Sequence, residues 1–581
     1  MKLKIFIAVS VIAIGFFIVY SQTNGKPFAP AEDFPRDSAV LYVQIADLPA
    51  LIKLWNESQL KEKYLESENF KGFANNHLGR KLASRWQEFN DAAGFSIDLE
   101  VLSKLAGNQA AIALYDVGKL DFVFIAPVSD EIFAATRFAQ NRDKFTEETL
   151  EDGATIYRAR VEADRGRQKQ ELIFTQLKGR FILATSEKRL VQTLDNINGK
   201  RAKNRLTSEP LFKVLREKIQ PHAATVWLNQ LALNDDYYFK HYWLMSEVED
   251  LKNMRAGIFD FEIQNEKLIE RRKFLFDEAT EIFPIENSDI EKMSAFLPPD
   301  LPFYRLQSGN QKTIDEAVEK TIFARPPEAE NQSRNNHSGY SSFDSYDDYS
   351  SDNYESLSGK FDEAIDETGD NEAIERREIE VDFSKILRPA NPRAILTFAQ
   401  PRMLPAPRFV RFQNAAVFHL ASPESFDREN FEAAISRKLL AQVMIGAPDV
   451  KFDWETKSES SRTRRELKLP MLEWNVSYAL IGSELIVAND TDFLRQILIE
   501  PNLAPLKKQH SPLTSLTVIN FGERENAYDK VFDELNRKKQ AGDFFTANIT
   551  SLLDSISQLK NIEIKENRSQ NMLDEEISFN F

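Results

Sequence analysis

Apolar and polar residues alternate with a period of two in short runs along the chain, and between these runs the period lengthens to that of a helix. AAIALYD (110–116) and LDFVFIAP (120–127) read as strands, followed by a helix-period segment through Phe138. RAILTF (393–398) and NAAVFHL (414–420) repeat that order, and after them Phe431, Ile435 and Leu439 lie one helical turn apart. In IFDFEIQ, Ile258, Asp260 and Glu262 take one face of a strand and Phe259, Phe261 and Ile263 the other, while in ISFNF one face carries Ile577, Phe579 and Phe581. These patterns predict antiparallel sheet with helices on one face, leaving the other free for water. The 43 phenylalanines, at strand and helix spacing, are assigned to the core.

The order of elements recurs at a shift of about 300 residues, too long for the unit of a solenoid. FILATSEKRLVQTL (181–194) falls on LIVANDTDFLRQIL (485–498), with Ala184 over Ala488, Leu190 over Leu494 and Leu194 over Leu498. ATVWLNQ (224–230) answers to LTVINFG (516–522), and the closing MRAGIFDFEIQNEKLIERRKFLF (254–276) to QLKNIEIKENRSQNMLDEEISFNF (558–581). The fold class expected is α+β. It comprises two tandem homologous domains, residues 33–290 and 295–581, each a mainly antiparallel sheet with helices packed on one face, plus an N-terminal membrane helix.

Two segments stand outside this repeat. Residues 1–25 carry Lys2 and Lys4 before an uncharged apolar run from Ile5 to Tyr20. At about 1.5 Å per residue the run spans roughly 24 Å, a little short of a hydrocarbon core of roughly 30 Å, and flanking residues supply the rest. The segment reads as a signal-anchor holding the chain in the membrane through residues 3–21, or as a signal peptide cleaved near Val19-Tyr20-Ser21. Either way the lysines stay inside and the body is extracytoplasmic. The other segment, 326–375, is rich in Ser, Asp and Tyr. Its stretch 326–372 holds thirteen acidic residues against Arg334 and Lys360, a net −11 of the chain's −16. Such a tract buries too little apolar surface to offset the entropy of ordering and is expected to be a disordered insert within the second repeat.

Charge and composition then narrow the chemistry. With 74 basic against 90 acidic residues the chain has no basic footprint for nucleic acid. The absence of cysteine removes disulfides, thiolate metal sites and a cysteine nucleophile. No G-x-S-x-G, phosphate loop or paired-histidine motif occurs, and His77, His222, His241, His337, His419 and His510 are scattered. His419, on an apolar strand, is expected to be a satisfied core histidine. Ser186, followed by Lys188 and Arg189, lacks a base, since arginine stays protonated. Its counterpart in the second copy is Asp490, and what Ser and Asp share is the ability to cap a helix. No catalytic, cofactor-binding or metal-binding residue is assigned. One weak ligand groove is: Tyr237, Tyr238, Tyr242 and Trp243 in NDDYYFKHYWLM (234–245) can line a sugar or lipid surface, the alternative being core or interface packing.

With the leader, LAGNQAAIALYD, GRFILATSEKRLVQTL, YYFKHYW and the closing MRAGIFDFEIQ and ERRKFLF in view, the chain resembles domain-of-unknown-function family 3352, a group of large exported bacterial proteins. The resemblance covers most of residues 36–325 and, more loosely, 376–581. That family has no assigned activity, so it transfers no functional residue. The expected function is a membrane-tethered extracytoplasmic protein of the cell envelope, non-enzymatic, without cofactor, acting as a binding or scaffolding module for other envelope proteins. Two alternatives remain: a hydrolase of envelope glycans or polymers using paired carboxylates distant in sequence, and a lipid or lipoprotein carrier with an apolar cavity. The corresponding locations are the cell membrane with a periplasmic body, or secretion after cleavage.

Overall fold

A computed structural model of the chain describes residues 30–235, 253–323, 381–401, 412–443, 452–521 and 559–580, with short internal gaps of which 161–170 is the longest. The leader, the tyrosine- and tryptophan-rich segment with Tyr237, Tyr238, Tyr242 and Trp243, and the acidic insert lie outside the described residues.

The fold is α+β, built on a large antiparallel sheet of twenty strands. The first ten are β1 (Leu41–Ile45), β2 (Ala110–Asp116), β3 (Asp121–Pro127), β4 (Thr146–Thr149), β5 (Thr155–Arg160), β6 (Glu171–Leu177), β7 (Arg180–Ala184), β8 (Ala224–Leu228), β9 (Met254–Gln264) and β10 (Lys267–Phe276). They pair in the order β4-β5-β6-β7-β3-β2-β1-β8-β9-β10. The next ten are β11 (Phe303–Ser308), β12 (Pro392–Pro401), β13 (Phe412–Leu420), β14 (Glu455–Glu459), β15 (Arg462–Leu469), β16 (Trp474–Ile481), β17 (Glu484–Ala488), β18 (Ser515–Asn520), β19 (Asn561–Ser569) and β20 (Met572–Asn580). Their order, β14-β15-β16-β17-β13-β12-β11-β18-β19-β20, repeats the first, element for element. The two sets are not separate sheets. β10 pairs with β20 from Lys267↔Asn580 to Leu275↔Met572, so one sheet runs from β4 to β14 with this seam at its centre.

Helices pack on both faces of the sheet, where the strand patterns predicted one. In the first half these are α1 (His77–Ala93), α2 (Leu99–Ala106), α3 (Glu187–Ile197) and α4 (Pro210–Arg216); α5 (Asn287–Ser294) follows β10, and the second half adds α6 (Gln311–Ile322), α7 (Arg428–Val443) and α8 (Thr491–Ile499). Val123 and Ile125 of β3 and Ile182 and Ala184 of β7 pack with Leu190 and Leu194 of α3. The residues between them, Phe122, Phe124, Phe181 and Leu183, pack on the opposite face with Phe89 of α1 and Leu105 of α2. The second half divides likewise, Val417 and Ile486 going with Leu494 and Leu498 of α8, and Phe418 and Val487 with Val318 of α6 and Ile435 of α7. The reason lies in runs such as LIVA (485–488), in which every residue is buried. A strand without polar alternation needs cover on both sides. At about 1.5–3 kcal/mol for each fully buried large aliphatic or phenylalanine side chain, that cover stabilises both layers.

The turns into α3 and α8 do the same work with different side chains. Thr185 Oγ1 accepts the Phe122 N–H at 2.9 Å, and Asn489 Oδ1 accepts the equivalent Asn414 N–H at 2.8 Å. Each thereby extends its strand pairing, β3–β7 or β13–β17, by one hydrogen bond. At the next position Asp490 caps α8, its Oδ1 accepting the Phe493 N–H at 2.9 Å. Ser186 stands at the N-cap of α3 with extended backbone but makes no side-chain capping bond, so capping chemistry operates in only one of the two copies.

Candidate functional site: a cleft on the central seam

Each half closes with a long hairpin, β9–β10 in the first and β19–β20 in the second, and the seam joins them. Superposing the turn of one hairpin on that of the other places Glu576 on Arg271, and these two residues are register partners across the seam. In register, the two hairpins are thus related by a local two-fold through this pair. On one face of the seam lies a cleft of about 860 Å³. Lys218, Ile219 and His222 of the first half line it on one side, Pro512 and Leu513 of the second on the other, and the four strands run beneath.

Charges on those strands neutralise one another. Arg271 pairs with Glu262 at 2.6 Å and with Glu576 at 3.4 Å, and Lys273 with Asp574 at 3.0 Å. Burial would push Glu262 up, but hydrogen bonds from Gln264 and Arg271 override it and hold this carboxyl below the usual range. On the opposite face of the seam Arg272 grips Glu270 through two hydrogen bonds, at 2.6 and 2.7 Å, and reaches Glu575 at 3.3 Å. Glu270 is sealed from solvent.

One side chain is aimed into the cleft from a rigid mount. The Asp260 carboxylate on β9 is fully buried and accepts three hydrogen bonds: from the His222 backbone N–H at 2.9 Å, from Thr225 Oγ1 at 2.9 Å and from His222 Nδ1 at 2.5 Å. That leaves Nε2 on the cleft side, 3.8 Å from Glu262. The hydrogen bond to Asp260 raises the His222 pKa, with burial pulling the other way. Strand register shows that the corresponding places in the second half hold Leu513 and Lys565, so the pair is not repeated there.

Sequence reading did not assign this pair. The polar phase of IFDFEIQ did mark Asp260 and Glu262 as sharing a face, but only the β8–β9 register brings His222 to them. His419, expected to be a satisfied core histidine, is buried with Nδ1 3.0 Å from Glu484 and Nε2 3.3 Å from Asp289. It fastens α5 to the second half. Among the described residues no group of His, Asp and Glu side chains is placed to hold a metal ion, and no helix is long and apolar enough to cross a membrane.

No family model matches the chain and no curated protein sequence is similar to it. Among solved structures, crystal form III of TP0453 is 11% identical, covering 46% of this chain and 86% of that one with a TM-score of 0.24. Crystal form I of TP0453 is 9% identical, covering 44% and 81% with a TM-score of 0.23.

Proposed function

We propose that the protein is a non-enzymatic binding or scaffolding module of the bacterial cell envelope, tethered by residues 3–21 with its body outside the cytoplasm, and that the seam cleft is where its partner or ligand sits. The observation that carries this is the cleft itself: neither half has it alone, and both contribute its lining. Clefts between packed units are common ligand sites. The repeated strand order supports descent of the two halves, 33–290 and 295–581, from one duplicated unit, as in the exported family 3352 that the chain resembles. Export and anchoring rest on Lys2, Lys4 and the apolar run that follows.

The two alternatives draw less support. A carboxylate-pair hydrolase needs one acid kept neutral by its surroundings, whereas Glu262 and Glu576 both lean on the Arg271 guanidinium. A lipid carrier needs an apolar cavity, whereas Arg271, Lys273, Asp574 and Glu576 put charge in the cleft.

The test is photo-crosslinking in intact envelopes, with benzoylphenylalanine at Asn567 in the cleft and, as control, at Lys119 in the exposed β2–β3 turn. Adducts specific to Asn567 are expected. Their absence, or identical adducts from Lys119, would count against the cleft as the binding site.

A further inference from the structure

Of the groups lining the cleft, most already have partners. Arg271, Lys273 and Lys565 are each paired with a carboxylate, Lys565 with Glu563 at 2.8 Å. The two cationic groups left to a ligand stand on one stretch of chain, the segment between α4 and β8. They are Lys218, exposed and without an ion-pair partner among the described residues, and the Nε2 side of His222, which lies 3.8 Å from Glu262, beyond hydrogen-bond distance.

The mount of His222 dictates how it can recognise anything. Asp260 is an acceptor locked in place by Thr225 Oγ1 and the His222 backbone N–H, so Nδ1 carries a proton in both states of the ring. Titration therefore occurs at Nε2. When the ring is charged, Nε2 offers a donor to the cleft, and when neutral it offers a lone pair. Lys218, four residues away, remains a donor throughout. A ligand group that profits from the charged ring and the lysine together is an oxyanion.

We propose that the seam cleft binds a carboxylate or phosphate group at His222 Nε2 and Lys218, and that it binds in preference to the charged form of the His222 ring. The proposal rests on the reading of the cleft as the ligand site. Asp260 and Glu262 on β9 contact His222, with Arg271 on β10 beside them, and Lys218 on its own segment shares the cleft with Lys565, Glu566, Asp574 and Glu576 of the second half. Glu262, 3.8 Å from Nε2, is the carboxylate beside the binding position. Its charge is drawn off by Arg271 at 2.6 Å and by Gln264, which donates to it at 2.6 Å.

The test uses the full chain in nanodiscs with two probes, inorganic phosphate and acetate. The Cε1–H resonance of His222, assigned by its loss in His222→Gln, is followed through a pH titration at several probe concentrations. The midpoint is expected to climb with probe concentration, and affinity to fall about tenfold for each pH unit above that midpoint, as one linked proton requires. Lys218→Gln should weaken both probes, while the midpoint without probe stays no lower than in the parent, since a neighbouring positive charge is lost. A response to phosphate alone would assign a phosphoryl ligand, and a response to acetate alone a carboxylate. A midpoint unmoved by either probe overturns the proposal, as does equally tight, equally pH-dependent binding by His222→Gln. If Asn567 crosslinks a partner while the midpoint stays fixed, the cleft remains the binding site and only the oxyanion assignment falls.

Discussion

Arg272 of β10 and Glu575 of β20 pair across the seam at 3.3 Å, both almost sealed from solvent, and the same guanidinium holds the fully buried Glu270. Two carboxylates and one arginine in a low-dielectric setting are costly to desolvate, and breaking such a set is worse than replacing it. Arg272→Met alone is expected to destabilise by about 3–5 kcal/mol, because it leaves Glu270 uncompensated. The triple replacement Glu270→Leu, Arg272→Met, Glu575→Leu should recover most of that loss or exceed the parent. Urea midpoints at constant m-value measure both. A single-mutant cost under about 1 kcal/mol would mean that water reaches these charges.

The two helix entries should respond unequally to the same change. Asp490→Ala removes a capping bond and is expected to cost about 0.5–2 kcal/mol, whereas Ser186→Ala removes none and should sit within about 0.5 kcal/mol of the parent. Equal losses at the two positions in chemical denaturation would contradict the geometry described for α3 and α8.

Gly309, just after β11, is a position where only hydrogen fits. A Cβ there would stand 2.0 Å from the Pro392 carbonyl oxygen, and the Gly309 N–H donates to the Arg393 carbonyl at 2.8 Å. Since the obstruction is backbone, Gly309→Ala is expected to cost about 3 kcal/mol or more, above the usual range for overpacking. Gly153→Ala serves as comparison, because nothing crowds it and its cost is conformational only. Thermal unfolding should rank Gly309→Ala well below Gly153→Ala.

His222 contributes stability with a definite sign against pH. Its folded pKa lies above the ordinary 6.5, through the hydrogen bond to Asp260 and against burial. The contribution is therefore fully present below pH 6.5 and is lost as pH rises through the folded value. The stability gap between the parent and His222→Gln should accordingly be widest on the acid side and narrow above pH 6.5. A gap that widens with rising pH would reverse the assignment.

Much of the architecture was legible because it depends on local periodicity. FILATSEKRLVQTL and LIVANDTDFLRQIL each became strand, turn and helix, with Leu190 and Leu494 in matching cores. What escaped depends on partners far away in sequence. Helices on both faces could not be separated from helices on one by alternation alone, although LIVA held the hint. That the two halves share a sheet follows from the β10–β20 register, to which no short pattern points. The same is true of the cleft: His222 and Asp260 are 38 positions apart, and strand pairing alone makes them neighbours. The aromatic groove suggested by Tyr237, Tyr238, Tyr242 and Trp243 falls outside the described residues, and the site with visible geometry is instead polar and on the seam.

The position of β20 has a consequence for how the molecule comes into being. It is the last described strand to leave the ribosome, yet it occupies the middle of the sheet. Until it arrives, β10 and β19 each present an unsatisfied row of backbone donors and acceptors, an invitation to pair with the wrong chain. Loop closure over so long an intervening stretch is slow relative to local hairpins. A chain in synthesis would thus hold two nearly finished half-sheets apart and zip them together only when β20 arrives. Maturation of the seam, and with it the cleft, waits on β20 and is the step most exposed to chaperones or to misassembly.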